Sequence, residues 1–166
     1  RFTWDSHGSL VTAVDGNGEM YRFSYDQYGN LVSTTDALSR TTTYTYDTLG
    51  RRLTATDASS NLMRYAHDAL GHVVAVTDTL ELVSRYEYDA YGNLESVTDG
   101  LGNKREIVYD DKFKCLPVKT INAKGHITEI EYDKLLRLQI KHDLDNDVKE
   151  KTSYDPFGRL KKFQVL

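Results

Sequence analysis

The chain has 166 residues, 39% hydrophobic, 28% charged and 11% aromatic, with a formal net charge of -4 at pH 7. That length fits one domain and allows a sizeable core, the composition excludes a disordered tract, and no run reaches the roughly 20 apolar residues of a membrane span. The acidic balance argues against a nucleic-acid partner, whose phosphates require a basic face, and the single cysteine, Cys115, excludes an internal disulfide framework or a paired-cysteine metal knuckle.

The chain opens on Arg1, with no Met and no charged segment leading into an apolar one, and is expected to be cut from something longer. Twelve of its 18 aromatics are Tyr, and Asp outnumbers Glu 17 to 8, a skew that points to a repeat. In chain order, an aromatic residue or His precedes Asp at Trp4-Asp5, Tyr25-Asp26, Tyr46-Asp47, His67-Asp68, Tyr88-Asp89, Tyr109-Asp110, Tyr132-Asp133 and Tyr154-Asp155. Successive Asp are 21, 21, 21, 21, 21, 23 and 22 residues apart. Three residues after each comes Gly8, Gly29, Gly50, Gly71, Gly92 or Gly158, with Phe113 and Leu136 as the departures. A second Asp follows ten residues after the first at Asp15, Asp36, Asp57, Asp78, Asp99 and Asp143, with Asn122 in the slot displaced by the insertion.

Asp at position i with Gly at i+3 is the chemistry of a type I turn closed by a left-handed residue. The carboxylate accepts hydrogen bonds from the turn's own N–H groups, and Gly takes positive φ without a Cβ clash. Each unit therefore contains two chain reversals, the first a hairpin loop with a bulge. Between them lie runs such as 31–35 and 40–46, rich in β-branched and aromatic residues and too short for stable helices. The fold expected is all-β: a continuous antiparallel meander of about 14 to 16 short strands, whose accumulated twist curves or spirals the sheet.

The turn also sets the register. It places Trp4 opposite Leu10, Tyr25 opposite Leu31, His67 opposite Val73, Tyr88 opposite Leu94, Tyr109 opposite Cys115, Tyr132 opposite Leu138 and Tyr154 opposite Leu160. Arg52 falls opposite Tyr46, where its stem can stack. Alternation puts Tyr21 and Phe23 with Tyr25, Tyr44 with Tyr46, and Tyr86 with Tyr88 on one aromatic face. Strict alternation puts Val11 and Ala13, Val32 and Thr34, and Val74 and Val76 on the opposite, mixed face.

After about Asp110 the pattern drifts. Residues 1–103 carry a net charge of -7 and residues 104–166 one of +3. The whole of 1–166 is read as one repeat segment, regular over 1–110 and divergent over 111–166; a separate C-terminal domain is the alternative.

Tyr25-Asp26-Gln27-Tyr28-Gly29-Asn30-Leu31, Tyr46-Asp47-Thr48-Leu49-Gly50-Arg51-Arg52 and Tyr88-Asp89-Ala90-Tyr91-Gly92-Asn93-Leu94 resemble the YD repeats of the Rhs (rearrangement hotspot) family, which is related to the shell-forming components of Tc toxins and to teneurins. The resemblance spans the chain, closest up to about Asp110. It implies a β-ribbon that spirals into a hollow shell around a C-terminal toxic polypeptide, in a protein that is secreted or displayed at the cell surface. The partners it implies are other repeats of the same larger protein and the enclosed toxin. Asp155-Pro156-Phe157-Gly158 resembles the end of the family's self-cleavage motif, but Glu150 stands where that motif opens on Pro, so no catalytic residue is carried over.

Asp15-Gly16-Asn17-Gly18-Glu19 and Asp143-Leu144-Asp145-Asn146-Asp147 alternate oxygen ligands as calcium loops do, but Met20 occupies the glycine position of such a loop, and both are read as turns. His7, His67, His72, His126 and His142 are dispersed, so neither a zinc site nor a nucleophilic triad is expected. Cys115 fills a Leu slot and is read as a small core residue. The tyrosine rows are read as cross-strand packing, with a glycan as the competing ligand. The function expected is a non-catalytic shell segment without cofactor or metal. The alternative is a cell-surface recognition module binding carbohydrate or protein through its aromatic rows or open strand edges, edges that also invite self-association.

Overall fold

The computed structural model describes Arg1–Leu166 and contains sixteen β-strands and no helix. They are β1 (Phe2–Trp4), β2 (Leu10–Val14), β3 (Met20–Tyr25), β4 (Leu31–Thr35), β5 (Thr41–Tyr46), β6 (Arg52–Thr56), β7 (Leu62–His67), β8 (Val73–Thr77), β9 (Val83–Tyr88), β10 (Leu94–Thr98), β11 (Lys104–Tyr109), β12 (Pro117–Ile121), β13 (Ile127–Tyr132), β14 (Leu138–Asp143), β15 (Val148–Tyr154) and β16 (Leu160–Val165). The chain divides into two compact units, Arg1–Ser84 and Arg85–Leu166. In the first, each strand from β1 to β8 pairs antiparallel with the next. In the second, β9 to β16 do the same. The fold is thus the all-β antiparallel meander that the turn spacing dictates.

Two kinds of hairpin alternate. Those closed by the aromatic-Asp turn carry a β-bulge: Ser24 faces Ser33 but Tyr25 faces Leu31, which leaves Val32 as an extra residue. The hairpins closed by the second Asp keep straight register, as where Thr34 faces Thr42 and Thr35 faces Thr41. Trp4, Tyr25, His67, Tyr88, Tyr132 and Tyr154 face Leu10, Leu31, Val73, Leu94, Leu138 and Leu160, as the turn geometry requires. Arg52 faces Tyr46, and its guanidinium lies 4.5 Å from the ring centre of Tyr44.

Three expectations are corrected. Tyr109 faces Pro117, not Cys115, because the Asp110 turn is longer: the Asp110 amide donates to the Leu116 carbonyl at 2.8 Å, six residues on rather than four. Cys115 therefore sits in the loop, exposed, and is no core residue. The bulge also resets the alternation in the strand that follows it. Phe2 faces Ala13, Phe23 faces Thr34 and Tyr65 faces Val76, so Ala13, Thr34 and Val76 share the aromatic face, not the mixed one.

What remains opposite is a hydroxyl-rich face in the first unit, where Thr45 and Thr54 hydroxyls meet at 2.7 Å and those of Thr35 and Thr41 at 2.9 Å. The length allows a core, yet no hydrophobic residue is fully buried, and Ser96 alone among all residues is. A one-layer meander has nothing to bury a side chain against except its cross-strand neighbours. In β3, Tyr21, Phe23 and Tyr25 are half-buried while Met20, Arg22 and Ser24 are exposed, which makes the aromatic face the better covered one. Each such cross-strand pair contributes about 0.2–1 kcal/mol, so stability is spread along the ribbon instead of being concentrated in a core.

Candidate functional site

The turn at Asp47–Arg51 sets the pattern. The Asp47 amide donates to the Arg51 carbonyl at 2.9 Å and the Gly50 amide to the Asp47 carbonyl at 3.1 Å. Gly50 has φ 76°, the left-handed residue that ends the turn. This path converges the amides of Leu49 and Arg51 on Asp47 Oδ1, each at 2.9 Å. Asp5, Asp26, Asp68, Asp89, Asp133 and Asp155 each accept the same two amides on Oδ1, two and four residues on. Gly8, Gly29, Gly71, Gly92 and Gly158 take positive φ beside them, and in the Asp133 turn Leu136 does so itself at φ 60°. Asp110 instead accepts from Lys112 and Phe113, and Lys114 supplies the left-handed residue of that longer loop at φ 52°.

The second turns repeat this chemistry at Asp15, Asp36, Asp57, Asp78 and Asp99. At Asn122 an amide oxygen does the work of the carboxylate, accepting from Lys124 and His126.

One contributor escaped the sequence reading. The second carboxylate oxygen is clamped by the side chain four residues on: Asn30, Arg51, His72, Asn93, Arg137 and Arg159 reach Oδ2 of their own turn Asp at 2.6–2.9 Å. Arg40, Asn61 and Asn103 do so in second turns. The signal was present in the sequence, as Asn, Arg or His recurring four residues after the turn Asp. Two clamps also brace the next turn of their row: Arg51 Nη1 donates to the Asp68 carbonyl at 2.7 Å, and Asn93 Nδ2 to the Lys114 carbonyl at 2.9 Å.

These bonds hold the carboxyls below the usual carboxylate range. For Asp26 the Asn30 amide side chain does most, for Asp47 the backbone N–H of Arg51, and partial burial opposes both.

The repeat tyrosine has a partner of its own. Its ring crosses the neighbouring strand, and its hydroxyl donates to a carbonyl fifteen residues back: Tyr25 to Leu10 at 3.1 Å, Tyr46 to Leu31 at 2.8 Å, Tyr109 to Leu94 at 2.9 Å and Tyr132 to Pro117 at 2.8 Å. That bond explains why the slot favours Tyr over Phe. Burial raises the Tyr109 and Tyr132 hydroxyls above the ordinary phenol range. Tyr46→Phe and Tyr132→Phe should each cost about 1 kcal/mol, read as a lower urea midpoint; unchanged midpoints would show that the hydroxyl bond does not tie the strands.

The remaining polar groups are dispersed or paired. His72 Nδ1 lies 2.8 Å from Asp68 Oδ2, His142 Nε2 lies 3.1 Å from Asp147 Oδ1, and no three His, Cys, Asp or Glu side chains converge as metal ligands would. Asp15 and Asp143, the two calcium-like starts, accept amides of their own turns. On the aromatic face of the first unit, Tyr21, Phe23, Asp36, Arg40, Thr42 and Asp57 line an open cleft of about 370 Å³. Its charges are engaged: Arg40 holds Asp36 at 2.6 Å and Asn61 holds Asp57 at 2.7 Å.

Hairpin pairs on a period of 21 to 23 residues, each turn capped by its own Asp or, once, by Asn122, define a class: a β-repeat protein whose side-chain chemistry is devoted to shaping its backbone. The family model described as RHS Repeat matches residues 4–39, 26–61 and 67–104, more than half of the chain, and the chain belongs to the RHS repeat family.

Among solved structures the chain is similar to TcdB2-TccC3, at 14% identity over 99% of this chain and 12% of that one, with a TM-score of 0.45. It is similar also to TcdB2-TccC3 without its hypervariable C-terminal region (15% identity, 99% and 12% covered, TM-score 0.44). The Tc holotoxin pore of Photorhabdus luminescens follows, at 15% identity, 99% and 14% covered and a TM-score of 0.38. The chain thus spans only 12–14% of the length of these solved chains. No curated protein sequence matches it.

Proposed function

We propose that this chain is a stretch of wall in a larger RHS-repeat protein, one that encloses a toxic polypeptide C-terminal to the repeats until delivery. On this reading the wall is non-catalytic and belongs to a secreted or surface-displayed protein. All of 1–166 serves as one repeat segment, regular over 1–110 and divergent over 111–166, with the aromatic-Asp turns as its structural sites. One observation carries the reading: each unit is a meander with no buried hydrophobic residue, and its turn aspartates, Asp26, Asp47, Asp68 and Asp89 among them, are engaged by amides of their own turns. A repeat that lays down surface without building a core or a reactive cluster suits a partition.

The test uses the full-length protein. The polypeptide beyond the repeats should resist protease in the intact protein and be cleaved rapidly once released by denaturant. Cleavage at the same rate in both states would overturn the reading, and glycan binding by a protein whose C-terminal polypeptide is unprotected would favour a recognition module instead.

A further inference from the structure

Equivalent turns build equivalent clefts, so one repeat serves as a control for another. On the aromatic face of the first unit, the turns at Asp36 and Asp57 flank the open cleft described above. In the second unit the turns at Asp99 and Asn122 flank its counterpart, also of about 370 Å³. Position by position, Asp99 stands for Asp36, Arg105 for Thr42, Asn122 for Asp57 and Lys124 for Ser59. His126, in the place of Asn61, lines the second cleft as well.

These exchanges invert the charge. The first cleft carries two aspartates and Arg40, which is committed to Asp36 at 2.6 Å. In the second, Asn103 clamps Asp99 at 2.8 Å without bringing a charge, one carboxylate has given way to Asn122, and Arg105, Lys124 and His126 have entered. The formal charge is -1 in the first cleft and +1 in the second, with His126 counted as neutral.

The incoming groups are unpaired. Arg40, Arg51, Arg137 and Arg159 each hold a turn Asp, whereas Arg105 and Lys124 have no carboxylate within ion-pair distance. Asn122 Oδ1 accepts the Lys124 and His126 amides, which leaves Nδ2 as an open donor and gives the His126 ring no carboxylate oxygen to clamp. The acids nearby are engaged. Asp99 has both oxygens bonded within its own turn, Asn146 holds Asp143 at 2.7 Å, Asp145 accepts the Ile127 amide at 2.8 Å, and Lys104 holds Glu106 at 3.2 Å. Beside the cations runs a trough of about 400 Å³ walled by Val97, Ile107 and Thr120, and Arg105 and Asn122 line it and the cleft alike.

We infer that cleft and trough together bind a phosphate monoester carried on an apolar body. Arg105, Lys124 and Asn122 Nδ2 offer more donors than the two oxygens of a carboxylate can use, and two fixed cations match a dianion better than a monoanion. The trough receives the apolar body, which an inorganic ion lacks. None of this depends on what the wall encloses, so the site can fail without that reading failing.

Titration of the 166-residue chain with phenyl phosphate at neutral pH and low salt, followed by amide NMR shifts, tests it. Saturable shifts should appear over 103–107 and 120–126, with a submillimolar dissociation constant. Arg105→Thr and Asn122→Asp should each bind at least about tenfold more weakly with circular dichroism unchanged, because Thr42 and Asp57 already fill those places in the first unit. Thr42→Arg, Asp57→Asn, Ser59→Lys and Asn61→His combined should create a second site there. Absence of saturable shifts, parent-like binding by both weakened variants, or a folded graft without a second site would overturn the proposal. So would benzoate or inorganic phosphate binding as tightly as phenyl phosphate, the first removing the phosphate from the recognition and the second the apolar body.

Discussion

Gly50→Val is expected to destabilise the first unit by about 2–3 kcal/mol, more than any other single turn substitution considered. Gly50 sits at φ 76°, where a side chain costs about 1–2 kcal/mol and a β-branched one more, because its two γ-carbons crowd the carbonyl that follows. Space adds to this. A Cβ at Gly50 would lie 3.2 Å from Asn30 Oδ1, and Asn30 cannot retreat freely because its Nδ2 holds Asp26 Oδ2 at 2.9 Å. One substitution thus disturbs two successive turns of the row.

Gly29→Val, at φ 84° but with nothing near its Cβ position, should lose only the conformational part. Leu136→Gly runs the experiment backwards, since Leu136 already holds φ 60° in the equivalent place; it should be neutral or gain up to about 1 kcal/mol. Urea midpoints give the order, and a Gly50→Val midpoint equal to that of the parent would show that this turn is not held in the left-handed geometry.

Acid should unfold the chain over a narrow range. Eleven turn aspartates, Asp5, Asp26, Asp36, Asp47, Asp57, Asp68, Asp89, Asp99, Asp133, Asp143 and Asp155, are held below their ordinary value of 3.8 by amide and side-chain donors. A carboxyl whose folded pKa is depressed binds its proton more readily when unfolded. Its stabilisation is complete above about pH 4 and is lost as pH falls through the lowered folded values. Each group adds little because it faces water, but the groups titrate in the same direction and within the same range.

Stability should therefore be flat from pH 7 to about 5 and fall steeply below about 4. Asn122 points to the control: an amide oxygen accepts the same two backbone N–H groups without titrating. Asp57→Asn with Asp99→Asn should keep both caps and soften the acid transition. A melting temperature that stays level down to about pH 2 would remove the turn carboxylates from the stability of the fold.

The reversals could be placed from the sequence because all the aromatic-Asp turns but the one at Asp110 are closed within five residues: Asp47 caps the amides of Leu49 and Arg51, and Gly50 supplies the φ that ends the turn. With the reversals placed, the pairings of Tyr25 with Leu31 and Tyr132 with Leu138 follow from the loop length. The same rule failed at Tyr109, where the longer Asp110 loop carries the chain on to Pro117 and leaves Cys115 exposed. It failed again for Thr34 and Val76, because a bulge adds a residue that strict alternation does not count. The Asn, Arg and His clamps lay in plain view as a column, yet only the geometry says that their donors turn back to Oδ2.

Local chemistry in the sequence was enough to determine where this chain turns, that its strands run antiparallel in order, and which face of β3 carries its rings. Only the tertiary structure decided that Tyr46 hands its hydroxyl to Leu31, that Arg51 braces the Asp68 turn, and that Ala13 lies among the aromatics. Those contacts join residues eleven to seventeen positions apart, and their partners depend on the sum of every loop length and bulge between them, a quantity that no single turn encodes.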